Sequence, residues 1–295
     1  MIRYPVSTSA LERLINSRVP NWLRDAAERT HFHRIHRGYF AKSETLPDGK
    51  KAREFWNRIK GVFITAQYGK CAYCESKPES SSIQWDIDHF RPKSGVVEWR
   101  YNIQTGPGMP EGYYMLAYDF GNYAAACKTC NSIYKRNFFP IEHHRIVHGQ
   151  TIADHQDEGA FLIYPLGDMA EDPEQLIAFN GVDAIARDAS PRGQLVIDFF
   201  QLNREGLQRS RAEWLFYTFR TAFDGYIEGT SNGGRAMEWL LSYEAQYTSC
   251  SRCFLDLCLN DPDAAEHQYQ KMEIILKKSP RLQRAWRSPE QCQTN

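Results

Sequence analysis

Four of the eight cysteines form two C-x-x-C pairs, CAYC at Cys71 to Cys74 and CKTC at Cys127 to Cys130. Each pair can place two thiolates on one turn, and two such turns complete the tetrahedral sulfur cage that structural zinc prefers. The alternative is four ordinary buried cysteines, which would leave the repeated spacing unexplained. The sequence therefore predicts one structural zinc ion bound by Cys71, Cys74, Cys127 and Cys130.

Residues suited to hydrolytic chemistry lie between the two pairs and directly after the second. Asp88 and His89 are adjacent in DIDHFRPK, and Asn131 follows CKTC. Hydrolysis of a phosphodiester needs a base that activates water and a divalent cation that stabilises the developing charge. Asp88 offers a carboxylate oxygen and Asn131 a carbonyl oxygen, which are ligands that suit a catalytic Mg²⁺ or Mn²⁺. Neighbours on a strand face opposite ways, so Asp88 and His89 can act together only at a strand end, which the following FRP indicates.

Three basic residues near this set are candidates for phosphate contacts. Arg91 and Lys93 follow His89, and Lys135 lies one helical turn after Asn131. Plain solvated surface charges are the alternative. Asp86 shares a strand face with Asp88, and we expect it to bind a core arginine rather than to assist the metal.

Charge is unevenly distributed along a chain that is neutral overall. The 295 residues include 36 Lys or Arg and 36 Asp or Glu. Residues 1–60 hold 13 basic against 6 acidic side chains, whereas residues 151–190 hold one arginine against 9 acidic side chains. The basic arm can neutralise phosphates or form a solvated helix face, and the sequence leaves both open.

No leader or long apolar run is evident in the sequence. A membrane helix needs about 18 consecutive apolar residues, and no segment approaches this length. We therefore expect a soluble, cytoplasmic protein without a membrane partner. Reduced thiols and zinc then fit the cysteines better than a disulfide framework does.

Periodicity predicts a mainly helical protein around this core. Apolar spacing indicates a broken helix over 10–29, interrupted at Pro20, and a second helix over 50–67. Residues 83–90 alternate as a strand does, and 131–139 should form a helix. We expect three regions, namely a basic helical region 1–69, a core 70–145, and an acidic connector with a helical C-terminal region 146–295.

Two further groups of metal-binding residue types do not make convincing sites. Cys250 and Cys253 form another C-x-x-C, but apolar neighbours indicate a buried helix and no partner pair follows. The histidines of the N-terminal region have no standard zinc spacing, and we expect them on the surface: His31, His33 and His36.

The stretches QYGKCAYCE, DIDHFRPK, YYMLAYDFGNYAAACKTCN and FFP resemble the HNH, or ββα-metal, endonucleases. They are most similar to a bacterial subgroup that includes nucleases of Septu-type anti-phage systems and retron-associated HNH proteins. LIYPLGDMAEDPEQLIAF and RGQLVIDFFQLNREGLQRSR extend the resemblance to about residues 50–215. It implies an α+β fold in which a ββα-metal core with a four-cysteine zinc site is embedded in a mainly helical protein.

The resemblance also implies residue roles and a function. Asp88 and Asn131 would bind the catalytic metal, His89 would be the general base, and Asn122 would order the site. One departure is aspartate at 86 and 88, where glutamate is frequent in the subgroup; the carboxylates are kept but their reach is shorter.

The implied function is a metal-dependent endonuclease acting on DNA, most readily double-stranded DNA, as the effector of an anti-phage system. Septu members work with an ABC-type ATPase, so the resemblance implies that partner; this chain itself has no Walker A loop. Two alternatives remain open. One is a non-catalytic zinc-ribbon module that binds nucleic acid or protein, and the other is a structural or toxin-inhibiting subunit with a vestigial nuclease site.

Overall fold

The computed structural model describes residues 1–36, 49, 52–78, 84–100 and 106–278. The chain folds into two compact units, the first spanning Met1–Glu174 and the second beginning at Gln175. Each unit combines helices with a small two-stranded sheet. The first unit contains the predicted N-terminal helical region, the predicted core and part of the predicted connector.

Helices of the first unit precede its sheet. Within the described residues they are α1 Thr8–Arg18, α2 Trp22–His36, α3 Ala52–Asn57 and α4 Lys60–Ala66. The predicted break at Pro20 is confirmed, because α1 ends before it and α2 begins after it. The helix predicted over 50–67 is interrupted, since Ile59 leaves helical geometry with φ −101° and ψ 6°. Gly69, at φ +69°, turns the chain out of α4 in a conformation that favours glycine.

The sheet of the first unit pairs β1, Trp85–His89, with β2, Tyr123–Cys127. The strands are antiparallel, and Trp85 lies opposite Cys127. Every residue of β2 is buried. The register therefore places the end of β2, where the second cysteine pair begins, beside the start of β1.

The edge of β2 is closed by a side chain instead of a third strand. The buried amide of Gln67 donates to the Ala125 oxygen at 2.8 Å and accepts from the Ala125 nitrogen at 2.7 Å. Alanines on β2 leave room for this approach. Buried backbone groups must find partners, and Gln67 supplies them directly after α4.

A π-helical segment, Thr129–Lys135, follows β2. The helix predicted over 131–139 is thus shorter and wider than expected. Arg136 N–H donates to the Asn131 oxygen at 2.7 Å, and Arg136 has a φ of +48° that ends the helix before Pro140. After this wide turn Lys135 is fully buried against Asp88 of β1.

The second unit is a helical assembly on a β-hairpin. Its hairpin strands are β3 Ile177–Asn180 and β4 Asp183–Ala186. Its described helices are α5 Pro191–Phe199, α6 Glu205–Glu213, α7 Arg220–Ile227, α8 Ser231–Leu241, α9 Thr248–Asn260 and α10 Pro262–Lys277, with a π-helical segment at Trp214–Phe219. Across the described ranges, no helix is both long enough and apolar enough to cross a membrane.

The remaining cysteine and histidine predictions have mixed outcomes. Cys250 and Cys253 lie on α9, as expected, and the Cys250 thiol donates to the Gly181 oxygen at 3.3 Å. The prediction that all three N-terminal histidines are surface residues is wrong for His33. Its ring is buried, with Nδ1 at 3.1 Å from the Tyr114 oxygen, because it lies on the face of α2 that packs on the core.

A glycine contact between α7 and α8 gives a test of the second unit. A Cβ on Gly233 would lie 2.1 Å from the carbonyl carbon of Gly225. Gly233→Ala should therefore force the helices apart and lower the free energy of unfolding by about 1–3 kcal/mol, as overpacking does. Gly234→Ala is the control, since its Cβ would meet no atom within 4 Å, and it should preserve or raise stability. Urea unfolding followed by circular dichroism compares them; equal stability of the two variants would contradict the contact.

Candidate metal centre and active site

The two cysteine pairs meet in one buried cluster. The Sγ atoms of Cys71, Cys74, Cys127 and Cys130 all lie within 4.8 Å of one another. Four sulfurs at about 2.3 Å from one zinc would be about 3.8 Å apart, and the Cys74 to Cys127 separation is 3.9 Å. The donor set and its spacing fit a structural zinc ion.

Backbone groups around the cluster are oriented towards the sulfur atoms. The Cys71 sulfur accepts from the Cys127 N–H at 3.3 Å and from the Tyr73 N–H at 3.5 Å. The Cys127 sulfur accepts from the Cys130 N–H at 3.4 Å. Such donors stabilise negative charge on sulfur, which is the form that binds zinc.

The thiols also perturb one another's ionisation. Burial raises the pKa of Cys71, whereas hydrogen bonds from Cys127 and then from Cys130 and Cys71 lower the pKa of Cys74. One thiolate is thus favoured at the expense of its neighbours. Ionising all four in a buried space requires a compensating cation, which zinc would provide.

A cleft of about 610 Å³ lies at the sheet beside the cysteine cluster, and Lys128, between Cys127 and Cys130, is among its lining residues. Asp86, Asp88 and His89 of β1 line it, and Asn131 and Ser132 of the π-helical segment lie across from them. The structure therefore brings together three of the four residues predicted to be catalytic. The fourth, Asn122, is buried behind the sheet end.

His89 is held in one orientation. Its Nε2 lies 3.0 Å from the Ala117 oxygen, and since a carbonyl only accepts, Nε2 carries the proton. The ring packs edge-on against Trp56 and Tyr123, with centroids 5.1 and 4.8 Å away. Nδ1 then carries the lone pair, and it lies 3.4 Å from Nζ of Lys93. A neutral imidazole fixed in this way can accept a proton.

Asp88 is more enclosed than the sequence suggested. Lys135 Nζ lies 3.0 Å from Oδ1, and the hydroxyl of Tyr73 donates to Oδ2. Burial, and next the charge of Asp88, raise the pKa of Tyr73, so that its hydroxyl stays protonated. Burial lowers the pKa of Lys135, and Asp88 opposes that effect. Each carboxylate oxygen has two lone pairs, so each keeps one beyond these contacts.

Asp86 pairs with the predicted metal ligand and not with a core arginine. Its Oδ2 accepts from Nδ2 of Asn131 and from the hydroxyl of Ser132, both at 3.1 Å. The expectation of an arginine partner therefore does not hold. The amide nitrogen of Asn131 is used in this contact, so its side-chain carbonyl oxygen is the atom that could bind a metal.

Asn122 fixes the chain where β1 ends. Its Oδ1 accepts from the Arg91 N–H at 2.8 Å, and its Nδ2 donates to the Arg91 oxygen at 2.9 Å. This reciprocal pair holds the backbone directly after His89 and Phe90. Asn122 is therefore placed to hold the backbone of the site, and it is not among the residues that line the cleft.

Of the three predicted phosphate contacts, Lys93 alone lines the cleft. Arg91 is buried and pairs with Glu158 at 3.2 Å, because the chain bends inwards after the strand. Lys135 is buried against Asp88. The wide π-helical turn, which sequence periodicity does not reveal, directs it inwards. Neither placement allows contact with phosphate.

Three other cations line the cleft and were missed from the sequence: Lys60, Lys128 and Arg136. Lys128 lies inside the CKTC pair, so its position there was the available signal. Lys60 and Arg136 reach the cleft through α4 and through the left-handed turn after Lys135, and neither is adjacent to a motif residue. Tyr73 was also missed, and its position inside CAYC was likewise the available signal.

Comparison with known proteins supports a relation to the Septu-type defence proteins. No protein-family model matches the chain. The chain is 31% identical over 177 residues to the Septu protein PtuB of Bacillus mycoides strain KBAB4. The alignment covers 59% of this chain and 55% of that protein, so the chain spans about half the length of the curated relative.

The sulfur cluster predicts a zinc dependence of folding. Cys71→Ser or Cys127→Ser should lose the metal and unfold the core of the first unit, because zinc binding and folding are coupled. Metal analysis of the purified protein should find about one zinc per chain. Cys253→Ser, a thiol change on α9, should keep both zinc and fold. A zinc-free protein with an unchanged melting temperature would contradict the closed site.

Proposed function

We propose that this protein is a metal-dependent endonuclease that hydrolyses phosphodiester bonds of DNA. The observation that carries the proposal is the convergence of His89, Asp88 and Asn131 on one cleft beside the cysteine cluster. A base, a carboxylate and an amide oxygen are the groups that such a hydrolysis uses. The polar, cation-lined cleft is consistent with a polyanionic substrate.

His89 is the proposed general base. In the reaction, water replaces the Lys93 ammonium at Nδ1 and gives its proton to that atom while its oxygen attacks phosphorus. The bond from phosphorus to the sugar oxygen breaks, and the leaving oxygen takes up a proton from solvent water. The Ala117 carbonyl supports the resulting imidazolium, because Nε2–H already donates to it.

Asp88 and Asn131 would hold a catalytic divalent cation. Their oxygens are hard ligands, both side chains line the cleft, and Asp88 keeps a lone pair on each oxygen. Such a cation, Mg²⁺ or Mn²⁺, would stabilise negative charge on the phosphate and on the leaving oxygen. Asn122 supports this site by holding the chain after His89.

Basic side chains around the cleft would bind the sugar-phosphate backbone. Lys60, Lys93, Lys128 and Arg136 all line it. They concentrate positive charge locally although the whole chain has none in excess. Phosphate contacts of this kind position a duplex without reading its sequence.

The biological setting is proposed from similarity. The relative is named as a Septu protein, which suggests an anti-phage role for this chain also. An ABC-type ATPase partner is part of the same proposal and comes from the family resemblance alone. DNA cleavage would then be the effector step of the system.

A non-catalytic zinc-ribbon module is the second candidate. One observation favours it: both oxygens of Asp88 already accept hydrogen bonds, from Tyr73 and Lys135. In that case the cleft would bind nucleic acid without cutting it. The two candidates differ in whether purified protein cleaves DNA when Mg²⁺ is added.

His89→Ala tests the proposal. With saturating Mg²⁺, the variant should nick supercoiled plasmid about 10² to 10⁴ times more slowly than the wild type, the usual contribution of a general base. Zinc content and DNA affinity should be unchanged. His31→Ala is the control, since this exposed histidine lies on α2 outside the cleft. Wild-type cleavage by His89→Ala, absent from an Asp88→Ala His89→Ala double variant, would eliminate His89 as the base.

The basic rim gives a separate prediction for binding. Lys128→Ala with Arg136→Ala should weaken DNA binding similarly for all sequences and lower the salt slope of log K by about one per lost contact. Arg13→Ala, an exposed cation on α1 outside the cleft, should leave the slope unchanged. Fluorescence anisotropy over a salt series measures it. Equal slopes for the double variant and Arg13→Ala would contradict a phosphate-binding rim.

A further inference from the structure

Tyr73 connects the cysteine cluster with the proposed catalytic carboxylate. It lies between Cys71 and Cys74, and its side chain is fully buried. Its backbone N–H donates to the Cys71 sulfur at 3.5 Å, while its hydroxyl donates to Oδ2 of Asp88. One residue therefore contacts both the zinc-binding sulfur and the carboxylate that lines the cleft.

The two oxygens of Asp88 are held from opposite elements. Tyr73 binds Oδ2 from the first cysteine turn, and Lys135 lies 3.0 Å from Oδ1 on the π-helical segment. Lys135 Nζ also donates to the His89 oxygen at 2.7 Å. A carboxylate with one fixed donor on each oxygen cannot rotate freely. Its remaining lone pairs are consequently fixed in direction.

We propose that Tyr73 is a positioning residue that orients Asp88 for the divalent cation and couples the zinc cluster to the active site. This inference rests on the proposed function. The cysteine cage holds the backbone of Tyr73, the ring is immobilised by burial, and the hydroxyl transmits that position to Asp88. The zinc site thus has a catalytic consequence in addition to its role in folding.

Partners that orient a metal ligand affect metal affinity even though they do not contact the metal. Their removal commonly weakens metal binding or activity by about 10- to 100-fold. Tyr73→Phe keeps the ring and removes only the hydroxyl, so the core remains filled. Tyr164→Phe is the matched control, because this buried hydroxyl donates at 2.8 Å to the Tyr123 oxygen and not to the carboxylate.

Mn²⁺ binding to the DNA-free protein, followed by the electron paramagnetic resonance signal of unbound Mn²⁺, tests the inference. Tyr73→Phe should bind Mn²⁺ about tenfold more weakly than the wild type, with one zinc per chain and folded circular dichroism retained. In cleavage assays its Mg²⁺ half-saturation should rise by a similar factor, with a rate within about threefold of wild type at saturating Mg²⁺. Tyr164→Phe should match the wild type in both.

Two outcomes would overturn the inference in distinguishable ways. If the wild type binds Mn²⁺ and cleaves DNA, and Tyr73→Phe does both with unchanged metal dependence, Tyr73 does not position Asp88 while the proposed function stands. If Tyr164→Phe weakens Mn²⁺ binding as much as Tyr73→Phe does, the effect is not specific to the Asp88 contact, and Tyr73 is again excluded as the positioning residue. If the wild type neither binds Mn²⁺ nor cleaves DNA, the proposed function fails and this inference fails with it.

Discussion

The cysteine cluster brings together three segments of the chain that also share hydrogen bonds with the sheet. Cys71 and Cys74 lie on a turn after α4, Cys127 ends β2, and Cys130 lies in the π-helical segment. A two-stranded sheet is marginal by itself. A zinc ion bound by these cysteines would cross-link the segments and, with Gln67 closing the edge of β2, would fix the positions from which β1 and the π-helical segment present their side chains to the cleft.

Buried charge is the second constraint, and it is met by pairing. Asp88 with Lys135 and Arg91 with Glu158 are ion pairs whose members are almost fully buried. Breaking such a pair leaves an uncompensated charge, which is strongly destabilising, so each pair specifies one arrangement of its elements. Lys135 fixes the π-helical segment against β1, and Arg91 fixes the chain after β1. One member of each pair, Asp88 or Arg91, lies close to His89 in the sequence. Together the two pairs immobilise the strand end on which His89 lies.

Local sequence signals predicted the elements that carry the site better than the directions of its long side chains. The cysteine spacing predicted the cluster, Pro20 the helix break, and the alternation near Asp88 a strand. The residue type of a basic side chain does not show whether that side chain faces solvent. Lys135 faces inwards because of the i to i+5 turn at Asn131. Arg91 is buried because it pairs with a buried acid, Glu158, which lies 67 residues later in the sequence. Such partners are distant in sequence and leave no periodic pattern. Lys60 and Arg136 were missed for a different reason, because neither lies within a motif.

The neutral net charge of the chain and a nucleic-acid substrate are compatible because electrostatic attraction depends on where charges lie. Two of the basic residues near the site, Arg91 and Lys135, are neutralised by buried acids and contribute little field to the cleft. The cations that line the cleft face only Asp86 and Asp88 as acidic neighbours among its lining residues. With Asp88 paired to Lys135, the excess around the cleft is positive. A phosphate backbone approaching it would therefore meet a local attraction that the composition does not reveal, and the divalent cation proposed at Asp88 and Asn131 would increase that attraction beside His89.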